Sequence, residues 1–484
     1  MVHLPGEIDS YDFDTPGGKI SVSRSERKLT TMGGLVAFAS FVRELGVIEK
    51  LVESCPVVRT SPNATPIRDI IVGFILTCVQ DGKRFRDIRF IQNDDVVAKI
   101  FGVQRRIPSN DTITRFFSQF SKESAKQWFH DSQQFLYKSL QDFHILDWDS
   151  TVTTRYGEQE DVTIGYNPTK PGRGSHHPLL CSVAGTRLCL GMQQRAGNSS
   201  SSKEWIETME DLFKHLPADR RPFINRADIG FCSEQFLRWH ETKDSPRRPY
   251  YLLKLRKTSR VNEALRKVSE SQWLGAASLG ALQVAEARIQ LHGWSCERRV
   301  ILGRRLISKK SPEENCSLFG ESQYHFFAWV TNLSQGQFNA WQIADLYNQR
   351  ADCENIFDEL KNHWGLNGFC AQSSIVTEVA ARFNLLSYNL WSLFVRFFNI
   401  EAHEEARCSR REFLLLAGQY IESGRSRFVQ LCTSDPIWKR VQAGYGRLLT
   451  WLSQTASQLT IGTEHANLGY TMTSQNGPPT LRLC

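Results

Sequence analysis

The chain has 484 residues, of which 41% are hydrophobic and 23% are charged, and its formal net charge is +8 at pH 7. A chain of this length is expected to form about two to four domains with buried cores, and the composition excludes a largely disordered protein. The mild basic excess permits a nucleic-acid partner without establishing one.

The cysteines and the apolar stretches indicate where the protein resides. The 12 cysteines form no CxxC pair and no His/Cys cluster with zinc-site spacing, so no disulfide framework is expected. Residues 1–10 contain no cationic segment followed by an apolar run, and the apolar stretches Ile70–Val79 and Phe383–Ile400 are too short or too polar to span a bilayer. We therefore expect a cytoplasmic protein.

Residues 1–140 have a helical pattern after a polar start. Apolar residues recur at spacings of three and four in Leu35–Val52 and Ile67–Val79, and a capping residue precedes a predicted helix at Thr112–Phe120. The region is also rich in arginine: Arg84, Arg86, Arg89, Arg105, Arg106 and Arg115. Two interpretations stay open, a helical DNA-binding region and a helical packing domain with a solvated basic face.

From residue 141 onward, predicted strands alternate with helices. Strands are predicted at 144–151, 178–184, 187–193, 221–228 and 250–255, with helices at 203–216 and 233–241. This order predicts an α/β fold in which helices cover the faces of a mixed sheet. We assign residues 141–258 to the first part of this core.

The segment 259–335 interrupts the order of the core. Alternating apolar and polar residues predict that it is a β-rich insertion. The second part of the core is assigned to residues 336–398 and begins with a helix predicted from about Phe338 to His363. Residues 399–484 are predicted to form a helical C-terminal region with a loose polar end.

The predicted helix at Phe338–His363 carries a polar stripe. At 100° per residue, Tyr347, Arg350, Glu354 and Lys361 lie within an arc of roughly 60°, beside an apolar arc. Such a stripe suits a phosphate backbone near a metal-bound carboxylate. The alternative is a surface helix on which Arg350 and Glu354 form an ordinary ion pair four residues apart.

Aspartates lie near the ends of two predicted strands. Asp149 is near the end of the first strand and Asp228 ends the fourth, where ligands gather in such sheets. Asp147 competes with Asp149, because residues two apart in a strand point to the same face and a buried charge must be paired or bind metal. For Asp228 the alternative is a cap or turn residue.

Four blocks of sequence occur in an order that resembles one known family. They are Asp149-Ser150-Thr151, the loop Gly165–Pro178, the block Arg226–Phe231, and a Tyr, Arg, Glu and Lys separated by two, three and six residues (347, 350, 354 and 361). The last block matches the YREK signature of DDE transposases in the insertion-sequence-four-like superfamily. The chain most resembles the insertion-sequence-thirteen-eighty group, from about Thr65 to Leu393.

This resemblance implies a ribonuclease-H-like fold, a DNA transposase activity and a metal site. Asp149, preferred to Asp147 by the motif, would bind metal together with Asp228 and Glu354. Two Mg²⁺ ions, for which Mn²⁺ can substitute, would lie roughly 3.5–4 Å apart. The implied reaction is cut-and-paste transposition, in which hydrolysis at the transposon ends precedes strand transfer into target DNA.

The resemblance also implies DNA contacts. Tyr347, Arg350 and Lys361 would contact phosphates near the cleaved end, and Trp329 is our candidate for stacking on a flipped base. The implied partners are double-stranded DNA, as terminal inverted repeats and target, and a second copy of the chain in a synaptic homodimer. Two alternatives are a catalytically inactive relative that only binds DNA ends and a two-metal nuclease that takes no part in transposition.

The loop Gly165–Pro178 contains His176 and His177 beside Lys170 and Arg173. Its glycines and prolines are expected to fix the path of the loop. For the two histidines we favour a structural role, and a contact with DNA or with a neighbouring chain stays open.

Overall fold

The structure is a computed structural model. It describes residues 10–141, 144–242, 248–276, 278, 280–308, 323–400, 403–454, 470–473 and 480–483. Within these ranges, no helix combines the length and the apolar character that a membrane crossing requires.

Helices and strands account for most of the described chain. The helices are α1 Leu35–Glu44, α2 Val47–Glu53, α3 Ile67–Val79, α4 Arg89–Gln92, α5 Asp95–Ile100, α6 Asn110–Phe117, α7 Lys122–Ser132, α8 Gln134–Lys138, α9 Trp205–His215, α10 Glu234–Glu241, α11 Ser259–Lys267, α12 Ala340–Asn348, α13 Asp352–His363, α14 Ser374–Val395, α15 Ala406–Ser409 and α16 Asp435–Leu452. The strands are β1 Ser10–Thr15, β2 Gly18–Ser23, β3 Leu29–Thr30, β4 Ile145–Ser150, β5 Thr153–Thr154, β6 Thr163–Ile164, β7 Gly174–His176, β8 Leu179–Val183, β9 Leu188–Gln193, β10 Ile224–Ala227, β11 Tyr250–Lys254, β12 Leu282–Ile289, β13 Arg298–Ser308, β14 Gln323–Thr331, β15 Ala417–Ser423, β16 Ser426–Cys432, β17 Tyr470–Thr473 and β18 Thr480–Leu483.

A mixed sheet of eight strands forms the centre of the fold, in the order β12-β13-β14-β11-β10-β4-β8-β9. Strand β10 is parallel to both β4 and β11, and the other neighbours are antiparallel. The predicted mixed α/β architecture is confirmed. Strands β4, β10 and β11 are buried almost throughout, as expected for strands in the middle of a sheet that is covered on both faces.

The strands of the predicted insertion continue this same sheet. Strand β14 pairs with β11, with Leu252 opposite Thr331, and β13 and β12 follow toward the edge. The sheet therefore runs without a break from the first part of the predicted core into residues 259–335.

Helix α14 connects the N-terminal helices with the sheet. It packs against α3, α6 and α7 and also against β9. Its apolar length is interrupted by Asn389, whose amide accepts a hydrogen bond from the Cys189 backbone N–H at 2.9 Å and donates one to the Cys189 carbonyl at 2.7 Å. A buried amide of this kind is stable only when its partners are provided, and the backbone of β9 provides them.

Two sequence-based predictions are wrong in detail. The helix predicted from Phe338 to His363 is divided, because a 3-10 turn at Gln349–Ala351 separates α12 from α13. The predicted helical C-terminal region contains the hairpin β15–β16, which also pairs with β3. Gly424 has a positive φ of 60° in the turn of that hairpin, a conformation that glycine adopts without steric cost.

Candidate active site

Two of the predicted aspartates meet at one edge of the central sheet. Asp149 is the next-to-last residue of β4, and Asp228 directly follows β10. These strands are parallel neighbours with Ala227 opposite Trp148, so Asp149 and Asp228 are adjacent at the same end of the sheet. Burial raises the pKa of Asp149, and the charge of Asp228 adds to that shift, as expected for two neighbouring carboxylates.

The carboxylate of Asp147 is bound by Arg226 instead. Its two carboxylate oxygens each accept a hydrogen bond from Arg226, from Nε and Nη2, at 2.7 Å. Both side chains are buried, and Nη1 of Arg226 also donates to the carbonyl of Leu346 in α12. Inside the core, the arginine thus compensates the charge of Asp147. Asp149 is the aspartate of β4 that reaches the edge of the sheet.

The Asp149 side chain lies in a largely buried environment of low dielectric constant. Burial, opposed by Arg350 and assisted by Asp228, raises the pKa of its carboxyl group to about 6. Its Oδ1 accepts a hydrogen bond from the Ser150 backbone N–H at 2.8 Å, and its Oδ2 lies 3.0 Å from Nη2 of Arg350. The same nitrogen of Arg350 donates to the Trp148 carbonyl at 2.9 Å, which fixes the guanidinium beside the strand end.

Lys361, one of the cations in the predicted polar stripe, also reaches the end of β4. Its Nζ donates to Oγ1 of Thr151. Burial lowers the pKa of Lys361, while the negative charges of Asp358 and Asp149 oppose that shift. Arg350 and Lys361 therefore surround Asp149 with positive charge, an arrangement that suits a phosphate beside a metal-binding carboxylate.

The division of the predicted helix changes how the polar stripe is built. Arg350 lies in the 3-10 turn and Lys361 in α13, and both contact the end of β4. Glu354 lies in the first half of α13 and is exposed to solvent. The 3-10 turn advances by about 120° per residue instead of 100°, so the regular spacing assumed for one continuous helix does not hold across it.

Tyr347 and Trp329 form a second layer behind the site. Burial raises the pKa of Tyr347 to about 12, and the charges of Arg350 and Asp228 also act on it. The ring of Trp329 lies 6.0 Å from that of Tyr347 and 5.8 Å from that of Phe327, to which it is parallel within 5°. Trp329 is 1% exposed, so in this conformation its indole supports Tyr347 from within the core.

Sequence reasoning missed the loop at residues 199–203, which contacts the end of β4. Arg195 donates to the carbonyls of His177, Ser200, Ser201 and Lys203 and thereby fixes the path of residues 199–203. The hydroxyl of Ser150 donates to that of Ser201 at 3.0 Å, which joins this loop to β4. A single buried arginine after a strand gives no sequence signal for such a role.

The two histidines of the predicted loop differ in position. His176 accepts a hydrogen bond from Nε of Arg155 at 3.1 Å and contacts the Glu160 carbonyl, which is a structural role. His177 contacts the Ser199 carbonyl at 2.6 Å, and burial lowers its pKa. The charges of Asp228 and Lys361 also act on His177, so this residue lies at the margin of the site.

The carboxylates at the site are the kind of ligand that hard divalent cations prefer. Asp149, Asp228 and Glu354 offer only oxygen atoms, as Mg²⁺ and Mn²⁺ sites do. Their ligand atoms do not all lie within 4.8 Å of one another; among the described residues, His130, Asp211 and His215 do so.

Asp228 also caps the turn at Ile229–Phe231 by accepting a hydrogen bond from Gly230 N–H at 2.9 Å, so it has the capping role that was its alternative interpretation as well.

Adjacent acidic residues at the end of parallel strands, with basic residues around them, would suit metal-assisted chemistry on a phosphate-containing substrate. The family model described as Transposase DDE domain group 1 matches residues 15–451, which is most of the chain. The chain belongs to this family of DDE transposases, and members of the family generally use a divalent metal ion. The predicted DDE class of DNA transposase is thus confirmed.

The other comparisons add little to this assignment. No curated protein matches the sequence. One solved structure, described as a cryo-EM structure of the piggyBac transposase synaptic complex with hairpin DNA, is similar with 12% identity, a TM-score of 0.38, and coverage of 92% of this chain and 87% of that chain. A likeness at this level carries no argument about the fold or site of this protein.

Proposed function

We propose that this chain is a cut-and-paste transposase of the insertion-sequence-four-like superfamily, most like the insertion-sequence-thirteen-eighty group. The observation that carries the proposal is the meeting of Asp149 and Asp228 beside Arg350 and Lys361. These four residues come from three blocks of the sequence signature, and they surround one end of the sheet.

The order of five strands supports a ribonuclease-H-like core. In β9-β8-β4-β10-β11, the first three strands are antiparallel neighbours and the last three run parallel. Asp149 lies at the end of β4 and Asp228 directly follows β10, the two parallel strands at the centre of this arrangement. The proposal places the core in residues 141–258 and 336–398.

Asp149, Asp228 and Glu354 are the proposed metal ligands. When bound, two Mg²⁺ ions would lower the pKa of the attacking water or 3′-hydroxyl and stabilise the leaving oxygen. The exposure of Glu354 leaves its carboxylate accessible to a cation shared with the aspartates. Burial of Asp149 keeps water away from one side of the site, which strengthens its interaction with a cation.

The cations of the site are proposed to bind the scissile phosphate. Arg350 offers a planar fork for two phosphate oxygens, and Lys361 offers a point charge. Both side chains are already positioned by β4, Arg350 by the Trp148 carbonyl and Lys361 by the Thr151 hydroxyl. The phosphate would thus meet donors that are held in place before the reaction, which lowers the cost of reorganisation.

Tyr347 and Trp329 are the other proposed DNA contacts. Tyr347 is partly exposed and adjacent to the charges of the site, so its hydroxyl can reach a phosphate. Trp329 would first have to be uncovered before it could stack on a base, since its ring is buried under Tyr347. We therefore propose that Trp329 supports the position of Tyr347 in the free protein and contacts DNA directly only if DNA binding moves Tyr347 aside.

The proposed reaction proceeds in two steps on double-stranded DNA. Hydrolysis at the terminal inverted repeats releases a 3′-hydroxyl, which then attacks a phosphate of the target DNA in a transesterification. The proposed assembly is a homodimer that holds two ends. Residues 1–140 are proposed to bind DNA, with the segments 259–335 and 399–484 contributing to the complex.

A cleavage and joining assay tests this proposal. The protein is incubated with Mg²⁺ and either a duplex that carries the terminal repeats flanking its coding region or an unrelated duplex of equal length. We expect cleavage and joining of the end-containing duplex only, and loss of both in Asp228→Asn. Binding without cleavage by the unchanged protein would indicate an inactive relative, and equal cleavage of both duplexes would indicate a nuclease.

A further inference from the structure

A second cluster of metal-binding side chains lies away from the sheet edge. It consists of His130 on α7 and of Asp211 and His215, which are one turn apart on α9. One ligand atom from each of the three residues lies within 4.8 Å of those of the other two. His130 is buried, whereas Asp211 and His215 are partly exposed, so an ion could enter from the solvent side.

The closest pair in this cluster has the separation of two ligands on one ion. Nε2 of His130 lies 3.2 Å from Oδ2 of Asp211. With metal–ligand bonds of about 2.0–2.1 Å, two ligand atoms of a tetrahedral zinc lie roughly 3.3–3.4 Å apart. An ordinary hydrogen bond would give a similar distance, so the protonation of His130 decides between the two arrangements.

Tyr137 provides an independent indication of that protonation. Its hydroxyl donates its hydrogen to the Leu190 carbonyl at 2.9 Å, and its oxygen lies 2.6 Å from Nδ1 of His130. With the tyrosine hydrogen used in this way, Nδ1 of His130 can be the donor, which is the tautomer that leaves Nε2 free for a metal ion. In the neutral ring, Nε2 then carries a lone pair that faces the carboxylate of Asp211, and a cation between them removes the repulsion.

The environment of the cluster favours the neutral ring. His130 is buried, and burial disfavours a second proton on its ring. A metal-bound histidine characteristically donates its other N–H to an oxygen partner, which is the position that Tyr137 occupies.

We propose that His130, Asp211 and His215 form a zinc site that fastens α7 to α9. Two imidazoles and one carboxylate are ligands that zinc accepts, and solvent would supply the fourth. The imidazole of His215 stacks on that of His130 at 4.3 Å and must turn toward the ion. His215 is partly exposed at the last position of α9, where the side chain has room to do so.

The ion would have a structural role. Helix α7 packs against α14 on the side of the N-terminal helices, whereas α9 packs against β9 of the sheet. Trp205 at the start of α9 lies 5.6 Å from Trp148 of β4, the residue that precedes Asp149. A metal bridge between α7 and α9 would therefore limit the movement of α9, whose first residue packs against Trp148 beside the candidate site.

Zinc binding to the full-length protein tests this proposal. Metal is removed with a chelator, and Zn²⁺ alone is titrated into the unchanged protein, Asp211→Asn, His215→Ala and the matched control Lys214→Ala. We expect each ligand variant to lose at least about 10–100-fold in zinc affinity, because even the loss of a residue that only supports a metal ligand typically costs that much. Lys214 is exposed on the same helix, and its variant should bind like the unchanged protein.

Two further measurements separate this site from the carboxylates at the sheet edge. Asp149→Asn should retain the tight zinc site and its stoichiometry. Co²⁺ should give the visible absorption of a tetrahedral site in Asp149→Asn and lose it in His215→Ala, with folding checked by circular dichroism. Zinc should raise the melting temperature of Lys214→Ala but not of His215→Ala. Equal zinc affinity in the unchanged protein and both ligand variants would overturn the proposal.

Discussion

Arg226 and Asp147 form a buried two-point ion pair between the neighbouring strands β10 and β4. Each partner precedes a proposed metal ligand by two residues, since Asp149 follows Asp147 and Asp228 follows Arg226. The pair and its bond to the Leu346 carbonyl therefore hold three segments in register: the two strands and the end of α12.

The first prediction separates the two aspartates of β4. Asp147→Asn leaves the buried charge of Arg226 uncompensated, which should reduce the free energy of unfolding by up to about 3–5 kcal/mol, with cleavage impaired but measurable. Asp149→Asn should abolish cleavage while the protein stays folded. Denaturant unfolding and a cleavage assay on the same samples check both results. Full cleavage by Asp149→Asn with none by a folded Asp147→Asn would reverse the assignment.

The second prediction concerns the third carboxylate. Glu354→Gln should abolish cleavage yet retain DNA binding, and it should change the free energy of unfolding by no more than about 0.5 kcal/mol because the side chain is exposed. Asp358→Asn, one turn further along α13 and also exposed, is the matched control and should remain active. If the control were inactive and Glu354→Gln cleaved normally, Asp358 would be the ligand.

The third prediction concerns phosphate contact by Lys361. Lys361→Ala should weaken binding to end-containing and unrelated duplexes about equally, because phosphate contacts carry little sequence information. The slope of log affinity against log salt should fall by about one unit, and strand transfer should decrease. Lys267→Ala, an exposed lysine of α11 paired with Glu263, serves as the control. An unchanged slope together with unchanged joining would remove Lys361 from the site.

The fourth prediction concerns acid stability and Glu359 on α13. Burial would raise the pKa of this carboxyl group, but hydrogen bonds from His403 at 2.8 Å and from the Ala406 backbone N–H at 2.9 Å outweigh it and lower the pKa. A lowered folded-state pKa stabilises the protein above the unfolded-state pKa, and this stabilisation is lost as pH falls through the folded-state value.

Glu359→Gln should therefore reduce the free energy of unfolding at pH 7 by about 1–3 kcal/mol, the usual range for a lost hydrogen bond to a charged group. The difference from the unchanged protein should shrink as pH falls below about 4. Urea unfolding of both proteins from pH 7 to pH 3 measures it. A constant difference across this range would show that ionisation of Glu359 does not contribute.

The central strands and the adjacent aspartates could be predicted from sequence because their signals are local. An apolar run that ends in Asp149 and another that ends at Asp228 indicate strand ends without knowledge of any partner. The motif favoured Asp149 over Asp147, but the contact that occupies Asp147 could not be predicted, since Arg226 lies 79 residues away and strand pairing alone brings the two together.

The break in the predicted helix could not be read from its apolar spacing. A 3-10 turn of three residues leaves the pattern of Leu346, Ile356 and Leu360 almost unchanged, and all three are buried as the pattern predicts. What the turn alters is the regular angular spacing along the helix, which depends on backbone geometry. The β15–β16 hairpin was missed because its strands are largely exposed and so have no strong apolar alternation.

The position of α14 limits how this protein can be dissected. Helices α3 and α7 bury their apolar faces against it, yet it lies more than two hundred residues later in the chain. A fragment that ends near residue 140 would present those faces to water and should aggregate instead of folding. Studies of DNA recognition by the N-terminal helices therefore call for substitutions in the intact chain, because truncation would remove the surface on which these helices fold.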